Sequence, residues 1–225
     1  MQTIRETWRI PAAKLLRIPD GIDAARFATP PDPTALPGFA RDAGDLVVGT
    51  VAPLRREKNI GRFLRLIAAL RADGLAVRGV VVGDGVERQA LEALCRDMGL
   101  ADRVHFAGFI AAVEKVYGLF DLFAITSETE QLPNGVLQAM AAARAVVGTD
   151  VGDVARMVAA INRDCIVPAA DETALAAAAA RLLRDGDLRA RIGAANQAHV
   201  AQAYRLDEMV GAYDRAYGEA LACVS

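Results

Sequence analysis

The chain has 225 residues, of which 53% are hydrophobic and only 5% aromatic, and its formal net charge is -2. That length can bury a sizeable core as one domain or one large lobe. The near-neutral balance excludes an electrostatic preference for nucleic acid or anionic lipid.

No run approaches the roughly 18 apolar residues of a membrane span, and the opening MQTIRETWRI lacks an apolar signal core. The expected location is therefore cytoplasmic, at most peripheral to the inner membrane face. Cys95, Cys165 and Cys223 are odd in number and share no metal-ligand spacing, so they read as small buried hydrophobes in a reducing compartment.

Residues 1–45 do not read as a domain. The stretch ATPPDPTALPG holds four of the nine prolines, as an extended linker does. Asp20-Gly21 alone reads as a turn. From Leu46 short apolar runs alternate with helical patterns. LVVGTVA is a strand, and residues 59–71 form a helix with Ile60, Phe63, Leu64 and Ile67 on one face. VRGVVVG is the second strand, and 86–98 a helix carrying Leu91 and Leu94. RVHFAG is the third, followed by a short helix over 113–120. Then come the strand DLFAIT, the polar loop SETEQLPN, the alanine-rich helix GVLQAMAAARA and the strand AVVGT. A sixth strand is expected over 165–168, then helices over 172–184, 188–202 and 206–222, the last amphipathic. This alternation predicts a doubly wound, Rossmann-like α/β lobe with a parallel sheet of about six strands.

Such sheets bind ligands beyond the carboxyl ends of their strands. There the loop after DLFAIT leads into a helix whose first N–H groups are unpaired, a terminus suited to phosphate. Glu130 in that loop and Gln138 one turn into the helix would face one cleft. Pro53–Asn59, at the end of the first strand, brings Arg55, Arg56 and Lys58, and by residue type alone reads equally as a solvated turn. Gly83-Asp84-Gly85 lacks the third glycine of a dinucleotide fingerprint, Arg88 standing there, and reads as a tight turn. His105 and His199 have no partner at a diagnostic spacing, and no Walker loop, nucleophile elbow or zinc motif is present.

Ser127-x-x-Glu130-x-x-Pro133, then Leu137-Gln138-Ala139-Met140-Ala141 and Ala145-Val146-Val147-Gly148-Thr149, resembles the donor-site signature of the family 4 glycosyltransferases, retaining enzymes of the GT-B fold. Lys58 matches the lysine of that family's phosphate loop, while Pro53 occupies its arginine position and Arg55 is the nearest replacement. Ile18-Pro19-Asp20-Gly21-Ile22-Asp23 and Phe27, with Ile10-Pro11-Ala12-Ala13-Lys14 before them, resemble the passage from the family's N-terminal domain into the hinge. The resemblance implies that 1–45 is a remnant of that domain and hinge, and that 46–225 is the donor nucleotide-sugar-binding half. Against the family pattern, Gln131 stands for a glycine, Gln138 for the second glutamate, and Ala143-Arg144-Ala145 for Gly-x-Pro.

The implied activity is transfer of a hexose from a nucleotide sugar to a hydroxyl acceptor with retention and without a metal, as in polysaccharide biosynthesis. Glu130 would contact the donor sugar, and Lys58 with Arg55 the diphosphate, these two (Glu130 and Lys58) being the catalytic pair. Backbone N–H groups near Leu132, Asn134 and Gly135 would meet the phosphate or sugar, Gln138 the ribose, and Phe109 with Ile110 the base. Exchanging a charged for a neutral hydrogen bond at Gln138 costs about 1 kcal/mol of donor affinity. Gln131, not being glycine, must avoid positive φ, so its loop is expected to follow another path. Asp185-Gly186-Asp187 imitates the metal-binding Asp-x-Asp of a different glycosyltransferase fold but reads as a turn and N-cap. The acceptor-binding half that precedes this hinge in relatives is absent, so weak or no turnover is expected without a separate N-terminal domain. The alternative is a non-catalytic nucleotide-sugar-binding or partner-binding fragment of such an enzyme.

Overall fold

The computed structural model describes residues 10–11 and 14–222. Residues 1–9, 12–13 and 223–225 lie outside it, and with them the chain's opening, part of the Ile10–Lys14 stretch and Cys223.

Six parallel strands stand in the order β3-β2-β1-β4-β5-β6. They are β1 (Leu46–Val51), β2 (Val77–Val82), β3 (Val104–Gly108), β4 (Leu122–Ile125), β5 (Val146–Thr149) and β6 (Ile166–Val167). The helices are α1 (Ile60–Ala72), α2 (Arg88–Asp97), α3 (Asn134–Ala141), α4 (Glu172–Arg184), α5 (Gly186–Ala203) and α6 (Leu206–Ala222). Neighbouring strand residues point to opposite faces. Val48 and Val81 thus pack with Phe63, Ile67 and Leu182 of α1 and α4. Val47 and Val80 pack with Tyr117, Phe123, Leu137 and Met140 on the other side. Both faces are covered, which is why the strands are mainly apolar runs without a regular polar alternation.

The chain winds one way from β1 to β3 and the other way from β4 to β6. The reversal lies between β1 and β4, joined at Val48 and Gly49 to Leu122 and Phe123. This switch point sets the place of the site.

Three expectations need correction. The helix over 113–120 is instead two 3₁₀ turns, Val113–Lys115 and Tyr117–Leu119, because Tyr117 and Phe120 turn into the core and Gly118 lies close against Pro31. The helix from Gly135 ends at Ala141, not Ala145; Ala143 takes a left-handed φ of 56° and its carbonyl abuts Gly193 of α5. The proline-rich segment does not run free. Preceded by a helical turn at Ala24–Phe27, it holds a 3₁₀ turn at Pro33–Ala35 and buries Leu36 beside Phe27 against the second face. In α6 none of the residues is buried, and Leu206, Val210, Tyr213 and Tyr217 are exposed. No helix among the described residues is long and apolar enough to cross a membrane.

Candidate functional site

The reversal between β1 and β4 opens a cleft of about 680 Å³ beyond the strand ends. Arg55, Lys58, Phe109, Ile110, Glu130, Leu132, Asn134, Gly135 and Gln138 all line it, so every residue singled out from the sequence for this site falls in one concavity.

Its floor is two loops tied together. The first turns through a 3₁₀ segment, Arg56–Lys58, into Asn59, which takes a left-handed φ of 43° and caps α1 by accepting from the Arg62 N–H at 3.0 Å. The Thr126 hydroxyl of the second loop donates to the carbonyl of Asn59 at 3.1 Å, and the Glu128 N–H to that of Glu57 at 2.8 Å. Beneath both lies Arg62, 6% exposed. Its guanidinium donates to the Thr126 carbonyl at 2.9 Å and pairs with Glu128 at 2.8 Å and Glu172 at 3.3 Å. A buried arginine needs several acceptors to offset its lost hydration. Here those acceptors are the second loop's own backbone and carboxylate, together with Glu172 at the start of α4.

This weld sets Lys58 against Glu130. The Lys58 ammonium donates to both carboxylate oxygens, at 2.7 and 2.8 Å, and the Ser127 hydroxyl adds a third bond at 2.6 Å. The side chains are 19% and 8% exposed, so the pair sits in the cleft wall, largely out of solvent. The two residues expected to act on separate parts of a ligand are therefore hydrogen-bonded to each other. The sequence reading had no means of seeing that contact, since they lie far apart along the chain.

The loop past Glu130 avoids the strain that Gln131 would bring. Asn59 and Ala143 are the non-glycine residues with positive φ among those described, and Gln131 is not one of them. The left-handed residue here is Gly152, φ 60°, where a Cβ would lie 2.4 Å from the Glu130 carbonyl. Beside it the Asp153 N–H donates to the Gln131 carbonyl at 2.9 Å.

α3 starts at Asn134 with Pro133 as its N-cap, so the N–H groups of Asn134 and Gly135 have no intrahelical acceptor and open on the cleft. One turn on, the carbonyl of Gln138 accepts from the Tyr117 hydroxyl at 2.7 Å. Tyr117 is fully buried, and burial holds its phenol well above the ordinary value, so this hydroxyl stays a donor. Neither Tyr117 nor Arg62 was read as part of the site; each looks from its position like an ordinary core or surface residue of its element. Ser127 did carry a signal, three positions before Glu130.

Arg55 lines the cleft with no ion-pair partner among the described residues, and Phe109 stands 80% exposed on the rim after β3. Gly83 makes the tight turn expected of it, with φ 131° and a Cβ position only 2.0 Å from the Ala52 carbonyl. Asp185 caps α5 by accepting from the Leu188 N–H at 2.8 Å. His105 stacks at a tilt against Phe39, centroids 5.7 Å apart. The buried thiols of Cys95 and Cys165 are pushed up by desolvation. Among the described residues no group of three or more His, Cys, Asp or Glu side chains is placed to hold a metal ion.

The sequence profile of the family described as glycosyl transferases group 1 matches residues 45–185. The chain is 30% identical over 206 residues to the 2-deoxystreptamine N-acetyl-D-glucosaminyltransferase of Streptomyces fradiae, covering 84% of this chain and 49% of that protein. Among solved structures, sucrose-phosphate synthase from Thermosynechococcus elongatus superposes with a TM-score of 0.84 at 22% identity, over 99% of this chain and 56% of that one. Anabaena HepE in complex with UDP gives 0.83 at 21%, over 97% and 61%. The chain thus spans about half the length of the curated relatives it matches.

Proposed function

Because the chain belongs to the group 1 glycosyl transferases, we propose that the cleft binds a nucleotide sugar and that the lobe is the donor half of a retaining hexosyltransferase acting on a hydroxyl acceptor. The observation that carries this reading is convergence. A cation pair, a carboxylate, an open helix N-terminus and an exposed aromatic ring meet in one cavity at the sheet's switch point.

Each has a place in the chemistry. As the glycosidic bond breaks, the leaving diphosphate gains charge. Lys58, Arg55 and the N–H groups of Asn134 and Gly135 would stabilise that charge more in the transition state than in the ground state. Glu130, held by Lys58 and Ser127, would accept hydroxyls of the hexose. Gln138 would meet the ribose, and Phe109 and Ile110 the base. In this reading placed cations and backbone dipoles do the electrostatic work, and no metal is assigned a part. A solved relative's complex with UDP supports a uridine nucleotide as the first ligand to try.

The test is thermal denaturation with UDP-, GDP- and ADP-sugars at millimolar concentration. A ligand at about 100 times its Kd adds roughly 2.7 kcal/mol of stability. If none of them raises the melting temperature, the donor-site reading is wrong.

A further inference from the structure

We propose that Tyr117 is a positioning residue that fixes the polarity of Gln138, so that this cleft offers the ribose a hydrogen-bond donor in place of an acceptor. The assignment rests on the nucleotide-sugar reading above and says how that site treats its ligand.

Tyr117 is fully buried against Phe27, Phe120 and Phe123, with ring centroids 5.7–5.9 Å away. Its hydroxyl makes one hydrogen bond among the described residues, to Gln138 Oε1 at 2.7 Å. A primary amide has two faces, a carbonyl that accepts and an NH₂ that donates. Turned the other way, the amide would set NH₂ against the phenol. The phenol oxygen would then accept, and its own proton, enclosed by aromatic rings, would have no acceptor. A buried donor left unmade is penalised more heavily than a made bond rewards. The phenol therefore selects one orientation, carbonyl inward. Gln138 is only half-buried and lines the cleft, so its NH₂ is the end left for a ligand.

This changes which ligand atoms are recognised. A carboxylate at position 138 would accept from Tyr117 with one oxygen and from a ribose hydroxyl with the other, and it would demand an O–H. The Gln138 NH₂ instead needs only an oxygen lone pair. A ribose hydroxyl satisfies either, but a methyl ether, which accepts and cannot donate, satisfies only the amide. The replacement of glutamate by glutamine is thus a change in the sign of the contact as well as a loss of charge.

The experiment is titration of wild type, Gln138→Glu, Gln138→Ala, Tyr117→Phe and the double variant Tyr117→Phe/Gln138→Ala. The probes are UDP, GDP and ADP and, for the nucleotide that binds, its 2′-O-methyl and 3′-O-methyl forms. Comparing one ether across variants cancels its bulk. Gln138→Glu should discriminate against one of the two ethers at least about tenfold more than wild type does. Tyr117→Phe should weaken the parent nucleotide about three- to tenfold in wild type. It should have no effect in the Gln138→Ala background, where a merely structural role would still register. Equal discrimination by wild type and Gln138→Glu, or the same loss from Tyr117→Phe with and without Gln138, overturns this assignment alone. Failure of all three nucleotides to bind wild type overturns the functional reading and this assignment with it. Whether Tyr117 holds the amide at all is read without ligand: the side-chain NH₂ resonances of Gln138 should move on Tyr117→Phe, and unchanged resonances refute the positioning role.

Discussion

Lys58→Met separates the two tasks assigned to the Lys58–Glu130 pair. Methionine keeps most of the volume and removes both bonds, at 2.7 and 2.8 Å, leaving the Glu130 carboxylate 8% exposed with the Ser127 hydroxyl as its remaining partner. Breaking a fully buried pair costs about 3–5 kcal/mol. Here Lys58 is 19% exposed and Ser127 still donates, so the expected cost is about 1–3 kcal/mol. For a chain of this size that is a fall in melting temperature of about 3–10 °C. Lys58→Met/Glu130→Gln removes the stranded charge and should recover most of the loss. Binding behaves differently. Losing a charged contact to a diphosphate weakens UDP by about 10–100-fold, and neutralising Glu130 does not bring that contact back. Calorimetric unfolding and titration of the single and double variants read the two axes independently. If Lys58→Met leaves the melting temperature within about 1 °C of wild type, the pair is not built as described. If the double variant regains the affinity of wild type, Lys58 only neutralises Glu130 and does not hold the phosphates.

Arg62→Met should lower stability by about 2–4 kcal/mol in urea titration, since it strips the donor from the buried Thr126 carbonyl. Arg65→Met, at a side chain 46% exposed, should cost less than about 1 kcal/mol. His105 gives a pH dependence: burial lowers its folded-state pKa from 6.5, although the Pro37 carbonyl opposes the shift. As pH falls through 6.5 the unfolded chain takes up the proton first, so stability declines on acidification until the lowered folded value is reached. His105→Asn should flatten the slope of unfolding free energy between pH 7 and 5, and an unchanged slope would assign it to other groups. The isolated chain should bind a donor yet transfer sugar slowly or not at all, because orientation of two reactants can supply about 7–11 kcal/mol of a barrier and the chain spans about half the length of the curated relatives it matches. Full turnover by the chain alone, measured against the chain with an added acceptor domain, would sink that expectation.

Much of the fold was legible because each element is locally consistent. Strands such as VVGT and, past its ion-paired Arg78, VRGVVV are predominantly apolar on both faces, as a covered parallel sheet requires. The α4 and α6 limits could be read directly from their patterns, and Asp171 caps α4 with a bond to the Ala174 N–H at 2.8 Å. The errors fell where tertiary contact overrides local preference. Ala143 ends α3 in a left-handed turn that no propensity favours for alanine, because α5 closes on its carbonyl at Gly193. Phe27 and Leu36 draw a proline-rich segment onto the core. In the site, spacing sufficed to gather Glu130 and Gln138 at one helix mouth. Their hydrogen-bond partners Lys58 and Tyr117 come from other elements of the sheet's connections, and no period in a single sequence ties them together.

In the proposed reading the Lys58–Glu130 pair would not have to open for a nucleotide sugar to bind. An ammonium carries three N–H donors, and the two oxygens of Glu130, at 2.7 and 2.8 Å, lie close enough together to share one of them. The others are left for phosphate oxygens, so Lys58 would brace the carboxylate and hold the diphosphate at once. Glu130 has one oxygen engaged by Lys58 and Ser127 and the other by Lys58 alone, and that second oxygen keeps a lone pair for a sugar hydroxyl. A guanidinium in the same place would spend its planar fork on the carboxylate and present its remaining N–H groups in a fixed plane. Lys58→Arg should therefore keep the stability of wild type and still lose diphosphate affinity. If Lys58→Arg binds UDP as tightly as wild type, the remaining N–H groups of the ammonium have no special part in holding the ligand.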